Sequence, residues 1–489
     1  MAVYKVQKTS SSRLRDKLDF PVIDTDGHVI ETEFVVRDFL KQVGGAKLVE
    51  RYQKTTAATA DEPKRVPWGV PSGPLTLDRA TMMLPRLCAQ RLEEAGVDFS
   101  TLYSTAGFRA QVMPDDELRQ GFCRALNMMY ADMFKDVADK MTPAAVIPMH
   151  TPQEAIAEVE FAVNELGLRA LMTCNEVVRP HPKVVAAAPH LAPYARTYTP
   201  IALDSTYNYD PFWAKCVELK VVPAGHSMNF IGTHQSTTNY IYNRLGFFAT
   251  SGHAACRALF MSGFTQKFPE LNAAFLEGGV WWAVALYNDL VEFWEKRNKD
   301  NMLEKLDPAK LDFALLQEMF AGYGNAALTA ERLMANQKLI ARDGRSRPDE
   351  IPDFIDDWTQ VKIDKEEDIR DLFVNHFYFG CEADDALNYT AFNAKANQFG
   401  AKLKAMFSSD LGHWDVQDFG GVLAEAYEAV ERGLMSEEDF KDFVFTNPVT
   451  LQTRLNPDYF KGTCVESAVD ALLAEETPAP APHPAPSSP

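Results

Sequence analysis

The sequence lacks several features that would assign it to common classes of protein. Its seven cysteines form no Cys-x-x-Cys pair and are odd in number, which disfavours a zinc knuckle and a complete disulfide framework. Its longest apolar run, Val280–Tyr287, is far shorter than the roughly 20 residues that span a membrane. No Gly-x-Gly-x-x-Gly turn follows the first apolar segment, which disfavours a dinucleotide-binding sheet. We therefore expect reduced, mostly buried thiols in a soluble, cytoplasmic protein.

Positive charge is also scarce in this chain. Lysine and arginine total 49 against 68 acidic residues, so the net charge is −19, and no basic cluster offsets it. Such a charge opposes binding to a phosphate backbone or to an anionic membrane. We expect neither nucleic acid nor a membrane as a partner. The 489 residues, 46% of them hydrophobic, are enough for one large core or two ordinary ones, and the chain is therefore expected to be globular.

Short apolar segments alternate with longer amphipathic ones, which is the pattern of β/α units. Thr151-Pro-Gln-Glu, for example, gives an N-cap and a first-turn proline to a helix predicted over 151–166. About eight such repeats over some 400 residues favour an α/β fold of the (β/α)8 TIM-barrel type with long insertions, and a doubly wound sheet is the alternative. The predicted strands are Val22–Asp26, Phe99–Ser104, Ala144–Met149, Ala170–Thr173, Ile201–Asp204, Val221–His226, Asn272–Leu276, Phe373–Phe379 and Ala405–Asp410.

Composition divides the chain further. We expect an N-terminal arm at 1–19, the barrel at 20–415, a C-terminal helical extension at 416–474 and a disordered Pro/Ala-rich tail at 475–489. Insertions are predicted at 41–85 and 299–360. Loops of that length form lids or binding walls, or mediate contacts between subunits, and a homo-oligomer is expected.

The first predicted strand ends in residues that suit a metal. Asp24, Asp26 and His28 are spaced two apart, and side chains at that spacing point to one face of a strand. Oxygen and imidazole ligands at the end of a buried strand suit a hard or borderline divalent cation. These three residues are a candidate half-site for catalysis.

Other predicted strands end in chemistry of the same kind. His226 ends the strand Val221–His226, Glu277 follows an apolar strand directly before two glycines, and Asp410 ends the last strand. His253 and His413 lie close by in the sequence. Each residue alone has an ordinary structural explanation, but strand ends form the active-site face of a barrel. Their conjunction predicts one site.

These motifs resemble the amidohydrolase superfamily, and specifically its amidohydrolase-related branch of metal-dependent hydrolases and nonoxidative decarboxylases. The resemblance spans roughly Pro21 to Phe460. It implies that Asp26-Gly-His28 occupies the His-x-His position of the family, where histidine is commoner than Asp26. It also implies that His226 is the fifth-strand ligand and Asp410 the eighth-strand acid.

One departure from the family pattern concerns the reaction. Decarboxylases of this branch typically have His-Gly-Gly where this chain has Glu277-Gly-Gly. His253 is a candidate substitute, as a ligand or as a general acid. The implied metal ligands are therefore Asp26, His28, His226, Asp410, Glu277 and His253, for one or two divalent ions, of which zinc is favoured and iron and manganese are alternatives.

The resemblance implies attack by a metal-activated water, with Asp410 as the proton acceptor and His253 and Glu277 as further catalytic candidates. Asp24, His413 and Trp281 are predicted to orient ligands or contact substrate. The first hypothesis is a hydrolase of an ester, amide, thioester or carbon–carbon bond in a small, aromatic or carboxylate-bearing substrate. A decarboxylase and a non-catalytic barrel that binds a partner are the alternatives.

Overall fold

Eight parallel strands form a barrel in the computed structural model of the chain, which describes residues 4–57, 68–192, 194–227, 235–340 and 355–476. The strands of the chain, in order, are β1 (Ile23–Val29), β2 (Phe99–Ser104), β3 (Met141–Val146), β4 (Ala170–Thr173), β5 (Glu176–Pro180), β6 (Arg196–Pro200), β7 (Pro223–Gly225), β8 (Ala273–Phe275), β9 (Phe377–Cys381) and β10 (Lys404–Phe407). The barrel runs β1-β2-β3-β4-β7-β8-β9-β10, and β5 and β6 form a separate antiparallel hairpin. The predicted (β/α)8 architecture is confirmed.

The first and last barrel strands meet through backbone hydrogen bonds just beyond β10. The amide of Asp410 donates to the carbonyl of Asp26 at 2.8 Å, and the amide of His28 donates to the carbonyl of Leu411 at 2.8 Å. This pairing brings the two ends of the fold, almost 400 residues apart in sequence, to the same place. It fixes Asp410 beside the metal-type residues of β1.

Helices alternate with the barrel strands along the chain, as β/α connections require. Those before β8 are Ser10–Arg15, Glu33–Ala57, Thr76–Met83, Pro85–Ala95, Gly107–Val112, Asp116–Phe134, Pro152–Asn164, Pro182–Ala187, Asp210–Leu219, Tyr240–Arg244, Phe247–Met261 and Phe264–Lys267. Those after it are Trp281–Arg297, Lys299–Asn301, Phe313–Tyr323, Ala330–Ala335, Gln337–Ile340, Glu366–Val374, Val422–Glu431, Glu437–Lys441, Asn447–Thr453 and Glu466–Glu476.

Local sequence explains where several elements begin. Thr151 and Glu154 form a capping box in which each side chain accepts from the other residue's amide, and Pro152 opens the helix Pro152–Asn164. β1 and β2 are buried along their whole length, which fits apolar strands covered by helices. The register of β1 against β2 shifts between Asp24 and Gly27.

Two predicted strands matched the structure to the residue, Phe99–Ser104 and Ala170–Thr173. The strand predicted at Ile201–Asp204 was wrong, because the extended chain ends at Pro200 and Asp204 has a left-handed φ of 54°. The hairpin that precedes it, β5 with β6, was not predicted. Its strands are only partly buried, so they lack the continuous apolar signal of the barrel strands.

The chain divides into two compact units, Met1–Leu286 with Arg370–Pro489, and Tyr287–Ile369. The first unit contains the barrel and the C-terminal helices, among them Val422–Glu431. The second contains short helices such as Phe313–Tyr323, whose N-terminus is capped by the side chain of Asp312. Of the predicted tail 475–489, residues 477–489 lie outside the described residues.

All seven cysteines are free thiols in the structure, and six of them are buried, as the sequence predicted. In the described parts of the chain, no helix combines the length and the apolar character that a bilayer crossing requires.

Candidate metal centre

The ends of three barrel strands bring four buried side chains to one point. Asp26 and His28 lie on β1, His226 directly follows β7, and Glu277 lies two residues beyond β8. We call these four residues the inner cluster. None of them is more than 5% exposed, and each offers a donor atom within 4.8 Å of the others. The sequence prediction placed all four at strand ends, and the structure brings them together.

The distances within the inner cluster match those between ligands of one ion. His28 Nε2 lies 3.4 Å from Asp26 Oδ1, and His226 Nε2 lies 3.5 Å from Asp26 Oδ2. His226 Nε2 is 3.4 Å from Glu277 Oε2 and 3.4 Å from His28 Nε2. Donors about 2.1 Å from a central ion at tetrahedral angles are about 3.4 Å apart. The four donors therefore fit a divalent cation.

The hydrogen bonds of these residues support the same conclusion. Among the described residues, neither carboxylate oxygen of Asp26 has a hydrogen-bond partner, and neither does Glu277 Oε2. A buried, unpaired carboxylate oxygen is costly unless a cation satisfies it. The fit of the residues to a metal therefore rests on their unpaired oxygens as well as on their spacing.

Ring packing orients the two imidazoles. The ring of His28 stacks on that of His413 at 3.8 Å between centroids, and the ring of His226 meets Phe108 edge-on at 4.7 Å. The Nδ1 atoms of His28 and His226 have no hydrogen-bond partner among the described residues. In many metal sites a hydrogen bond from this nitrogen orients the ring, and here ring packing orients it instead. The amide nitrogen of Gln111 donates to the backbone carbonyl of His226 at 2.6 Å and anchors that strand end.

Burial sets the protonation of the inner cluster. It lowers the pKa of His226 to about 4 and holds the pKa of His28 well below its ordinary value, so both imidazoles are neutral and able to bind a cation. Burial raises the pKa of Glu277 to about 7, although the charges of Arg244 and His226 oppose the rise. It also raises the pKa of Asp26 well above the usual range, with the charge of Asp24 adding to the effect. These carboxyl groups favour protons when no cation is bound.

Asp410 and His413 form a hydrogen-bonded pair at the edge of the inner cluster. Asp410 Oδ1 lies 2.6 Å from His413 Nδ1 and 3.2 Å from His28 Nε2. Asp410 is fully buried, and burial followed by the charge of Glu277 raises its pKa well above the usual range. With His28 and Glu277, the pair makes a second group of potential metal ligands.

Backbone strain marks the two carboxylates that follow β8 and β10. Glu277 has φ 53° and Asp410 has φ 49°, in the left-handed region that few residues other than glycine adopt. Such conformations cost on the order of 1–3 kcal/mol each and cluster at functional sites. Gly278 follows Glu277 where a Cβ would lie 3.2 Å from the amide nitrogen of Ala249, which explains a glycine after the acid.

Asp24 does not join the donors, although it lies on the same strand as Asp26. Its carboxylate accepts hydrogen bonds from the amide and the hydroxyl of Ser409, both at 2.8 Å, and from the hydroxyl of Ser100 at 2.7 Å. It also accepts from the amide of Asp26 at 3.2 Å. The register shift between Asp24 and Gly27 separates the two acids, so Asp24 ties β1 to its neighbours on both sides.

Two further predicted residues lie away from the donors. His253 is on the helix Phe247–Met261, half-buried, with its ring 6.0 Å from that of Trp282. Neither it nor Trp281 is a member of the donor groups found among the described residues, and Trp281 is 48% exposed. Their predicted roles gain no support from these positions.

Arg244 is a residue that the sequence prediction missed. It ends the short helix Tyr240–Arg244, and its Nη2 donates to Glu277 Oε1 at 2.7 Å and lies 3.5 Å from Asp415 Oδ2. Its guanidinium also packs over the ring of Phe248 at 4.9 Å. An arginine on a loop helix has no sequence signal that distinguishes it from a solvated surface residue.

The chain is similar in sequence to one protein family and in fold to several solved structures. No curated protein matches it. The model of the family described as "Amidohydrolase" matches residues 23–299, more than half of the chain. A solved amidohydrolase from Mycobacterium avium subsp. paratuberculosis K-10 is 14% identical, with a TM-score of 0.50 and coverage of 89% of this chain and 98% of that one.

Two solved decarboxylases are also similar in fold. Dihydroxybenzoic acid decarboxylase from Polaromonas sp. JS666, with bound manganese and 2-nitroresorcinol, is 16% identical, with a TM-score of 0.48 and coverage of 89% and 97%. 5-Carboxyvanillate decarboxylase from Novosphingobium aromaticivorans DSM 12444, complexed with manganese and a nitrobenzoic acid, is 13% identical, with a TM-score of 0.48 and coverage of 92% and 100%. Likeness at these identities concerns the fold alone.

Proposed function

This chain belongs to the amidohydrolase family, and we propose that it is a metal-dependent hydrolase that cleaves an ester, amide, thioester or carbon–carbon bond in a small organic substrate. The observation that supports this proposal most is the Asp410–His413 pair beside the inner cluster. Hydrolysis needs a group that takes a proton from water and returns it to the leaving group. Asp410 is placed for both steps.

The metal would be held by Asp26, His28, His226 and Glu277. A divalent cation, when bound, supplies Lewis acidity towards water and towards an oxygen of the substrate. A mixed set of imidazoles and carboxylates is compatible with zinc, iron or manganese. We propose one of these three as the resident ion.

The residues around the donors have separate tasks in this proposal. Asp410 Oδ1, at 3.2 Å from His28 Nε2, accepts the proton of the attacking water. His413 Nδ1, at 2.6 Å, orients that carboxylate through a hydrogen bond. Arg244 holds Glu277 Oε1 and thereby leaves Oε2 directed at His226.

The environment of His226 favours a substrate with an apolar or aromatic part. The rings of Phe108 and Phe248 lie 4.7 and 5.2 Å from its imidazole, and both side chains are almost fully buried. Such walls exclude water from one side of the donors, which strengthens electrostatic interactions there.

The test uses a panel of esters, lactones, amides, thioesters and β-diketones in water labelled with ¹⁸O. We expect one labelled oxygen in the product from the metal-loaded enzyme. Asp410→Asn should lower kcat by about a hundredfold or more, because it removes the proton acceptor. Asp139→Asn, a change of the same charge at an exposed site, is the matched control and should keep full activity. No incorporation of label with any substrate class would contradict the proposal.

A nonoxidative decarboxylase is the second candidate, and Arg244 is the observation that favours it. A substrate carboxylate needs a cation, and this guanidinium lies at the edge of the inner cluster with 18% of its side chain exposed. Against it stands the number of acids nearby, which repel an anionic substrate. Release of labelled carbon dioxide from aromatic carboxylic acids, with no ¹⁸O in the product, would select this candidate.

A further inference from the structure

A second group of carboxylates lies beside the inner cluster. Glu382 directly follows β9, Asp410 follows β10, and Asp415 lies five residues further along the chain. We call these three residues the acidic cluster. Each offers a carboxylate oxygen within 4.8 Å of the others.

The negative charge of the acidic cluster is poorly balanced. Among the described residues, the acidic cluster has one ion pair with a lysine or arginine, in which Arg244 Nη2 lies 3.5 Å from Asp415 Oδ2. That nitrogen also donates a hydrogen bond to Glu277 at 2.7 Å. Burial and the charges of Glu277 and Asp415 raise the pKa of Glu382 well above the usual range. A divalent ion in the inner cluster would still leave more acids than positive charges in this region.

Two buried oxygens of the acidic cluster accept no hydrogen bond from an N–H or hydroxyl donor among the described residues. They are Asp410 Oδ2 and Asp415 Oδ1. The carboxyl groups of Asp410 and Asp415 can hydrogen-bond to each other only when one of them is protonated. Asp410 is 0% exposed, and its other oxygen is engaged by His28 and His413, which leaves Oδ2 for the acidic cluster. An unpaired oxygen on a fully buried acid is an observation independent of the clustering, and it points to a cation.

A cavity adjoins the acidic cluster. It has a volume of about 230 Å³, and no basic side chain among the described residues lines it. Its polar and acidic lining residues include Glu382, Asp415, Ser409, Asp384, Asp418 and Glu425. It is open to solvent, so water molecules can complete the ligand set of an ion.

We propose that the acidic cluster is a second cation site, and that it takes a hard divalent ion such as Mg²⁺, Mn²⁺ or Ca²⁺. All three protein donors are carboxylate oxygens, which these ions prefer, whereas the imidazoles of the inner cluster suit zinc. Glu382 and Asp415 were not among the metal ligands expected from the sequence. The site is linked to the proposed function through Asp410 and through Arg244, which contacts both Glu277 and Asp415, and it does not depend on which bond the enzyme cleaves.

The experiment separates the two sites by the preferences of their donors. The protein is stripped with a chelator, loaded with one equivalent of zinc, and titrated with Mn²⁺ while free Mn²⁺ is measured by electron paramagnetic resonance. We expect one Mn²⁺ per chain in the wild type. Glu382→Gln and Asp415→Asn should each weaken this binding at least about tenfold and leave the zinc content unchanged, because each removes one charged ligand.

Asp384→Asn is the matched control, since it removes the same charge from the wall of the same cavity but from an exposed residue outside the cluster. It should keep Mn²⁺ binding. A zinc-loaded wild type that binds no Mn²⁺ would overturn the second site and leave the inner cluster standing, and it would indicate that Asp410 and Asp415 share a proton instead. Equal Mn²⁺ binding in all variants would also overturn it, because the ion would then lie elsewhere. Failure of zinc to bind would count against the proposed function. Mn²⁺ titration of the metal-free wild type beside its Glu382→Gln and Asp415→Asn variants would still test the acidic cluster, because only weaker binding in both variants assigns the ion to it.

Discussion

The inner cluster and the acidic cluster are neighbours at one end of the barrel, yet they come from different strands and their donors differ. The inner cluster combines two neutral imidazoles with two carboxylates, and each residue is at least 95% buried. The acidic cluster has three carboxylates, and two of them border an open cavity. Burial and imidazoles favour a tightly held ion, whereas carboxylates beside an open cavity favour a hydrated one. The same end of the barrel can therefore bind one ion tightly and a second ion in hydrated form.

The largest expected effect distinguishes two acids of one strand. Asp26→Asn should lose most of the inner metal and lower activity about a thousandfold, because a lost metal removes several kcal/mol of transition-state stabilisation. Asp24→Asn should instead lower the free energy of unfolding by about 2–3 kcal/mol, because an amide cannot accept all four of its hydrogen bonds. Elemental analysis and urea unfolding with a chelator measure the two quantities.

The metal-free Asp26→Asn protein should be as stable as the wild type or more so, since the substitution removes a buried charge. If Asp26→Asn and Asp24→Asn gave the same loss of metal, the assignment of Asp26 to the cluster and of Asp24 to the strand network would be wrong.

The next effect concerns pH. The pKa of Glu277 is raised from 4.5 to about 7 in the metal-free folded state, so folding favours its proton. Stability from this group is therefore present at low pH and is lost as pH rises from about 4.5 to about 7. Because a cation must displace the proton, metal affinity of the inner cluster should rise up to about tenfold per pH unit below pH 7.

Equilibrium dialysis against zinc buffers over this range checks the slope, and unfolding of the chelated protein checks the stability. Glu277→Gln has no proton to displace at this position and should reduce the slope of both profiles, while protonation of Asp26 accounts for the slope that is left. A zinc affinity that is independent of pH in the wild type would show that Glu277 is ionised without metal.

Substitution of Arg244 should have a smaller effect, which is a change in the midpoint of the pH dependence of zinc binding. Arg244→Gln removes the cation that donates to Glu277 at 2.7 Å, and we expect the midpoint of the pH dependence of zinc binding to move up by about one unit. Arg257→Gln, an exposed position outside both clusters, is the control in the same dialysis and should leave the midpoint in place. A downward move in Arg244→Gln would contradict the electrostatic role of Arg244.

The smallest expected effect lies away from both clusters. Thr151→Ala removes the N-cap of the helix Pro152–Asn164 and should lower the free energy of unfolding by about 1 kcal/mol, with metal content and activity unchanged. Thr151→Ser keeps the capping hydroxyl and should restore most of the loss. An altered metal content in Thr151→Ala would show that the clusters respond to general destabilisation.

The fold was largely predictable from the sequence. Buried strands such as Ala170–Thr173 are short, mostly apolar runs that alternate with helical segments, so their number and order could be inferred. The match to the amidohydrolase family confirms the resemblance. The error at Ile201–Asp204 arose where a short apolar run follows a half-buried hairpin. Periodicity alone cannot separate such a run from a strand.

The donors of the site could be anticipated because parallel strands end at one edge of a barrel. Asp26, His226 and Glu277 are such strand-end residues. Arg244 and Asp415 were missed because they lie on loops and a short helix, whose paths no sequence period determines. That the donors bind a metal stays a prediction, as do the homo-oligomer and the cytoplasmic location.

The most direct test of the account is the metal content of the protein after loading with zinc, iron or manganese and removal of excess ion. The account predicts at least one ion per chain in the wild type and in His190→Ala, an exposed control, and a loss of about one ion in His226→Ala. A wild type that retains no metal under any of these conditions would contradict it, and the barrel would then have to act without the centre proposed for it.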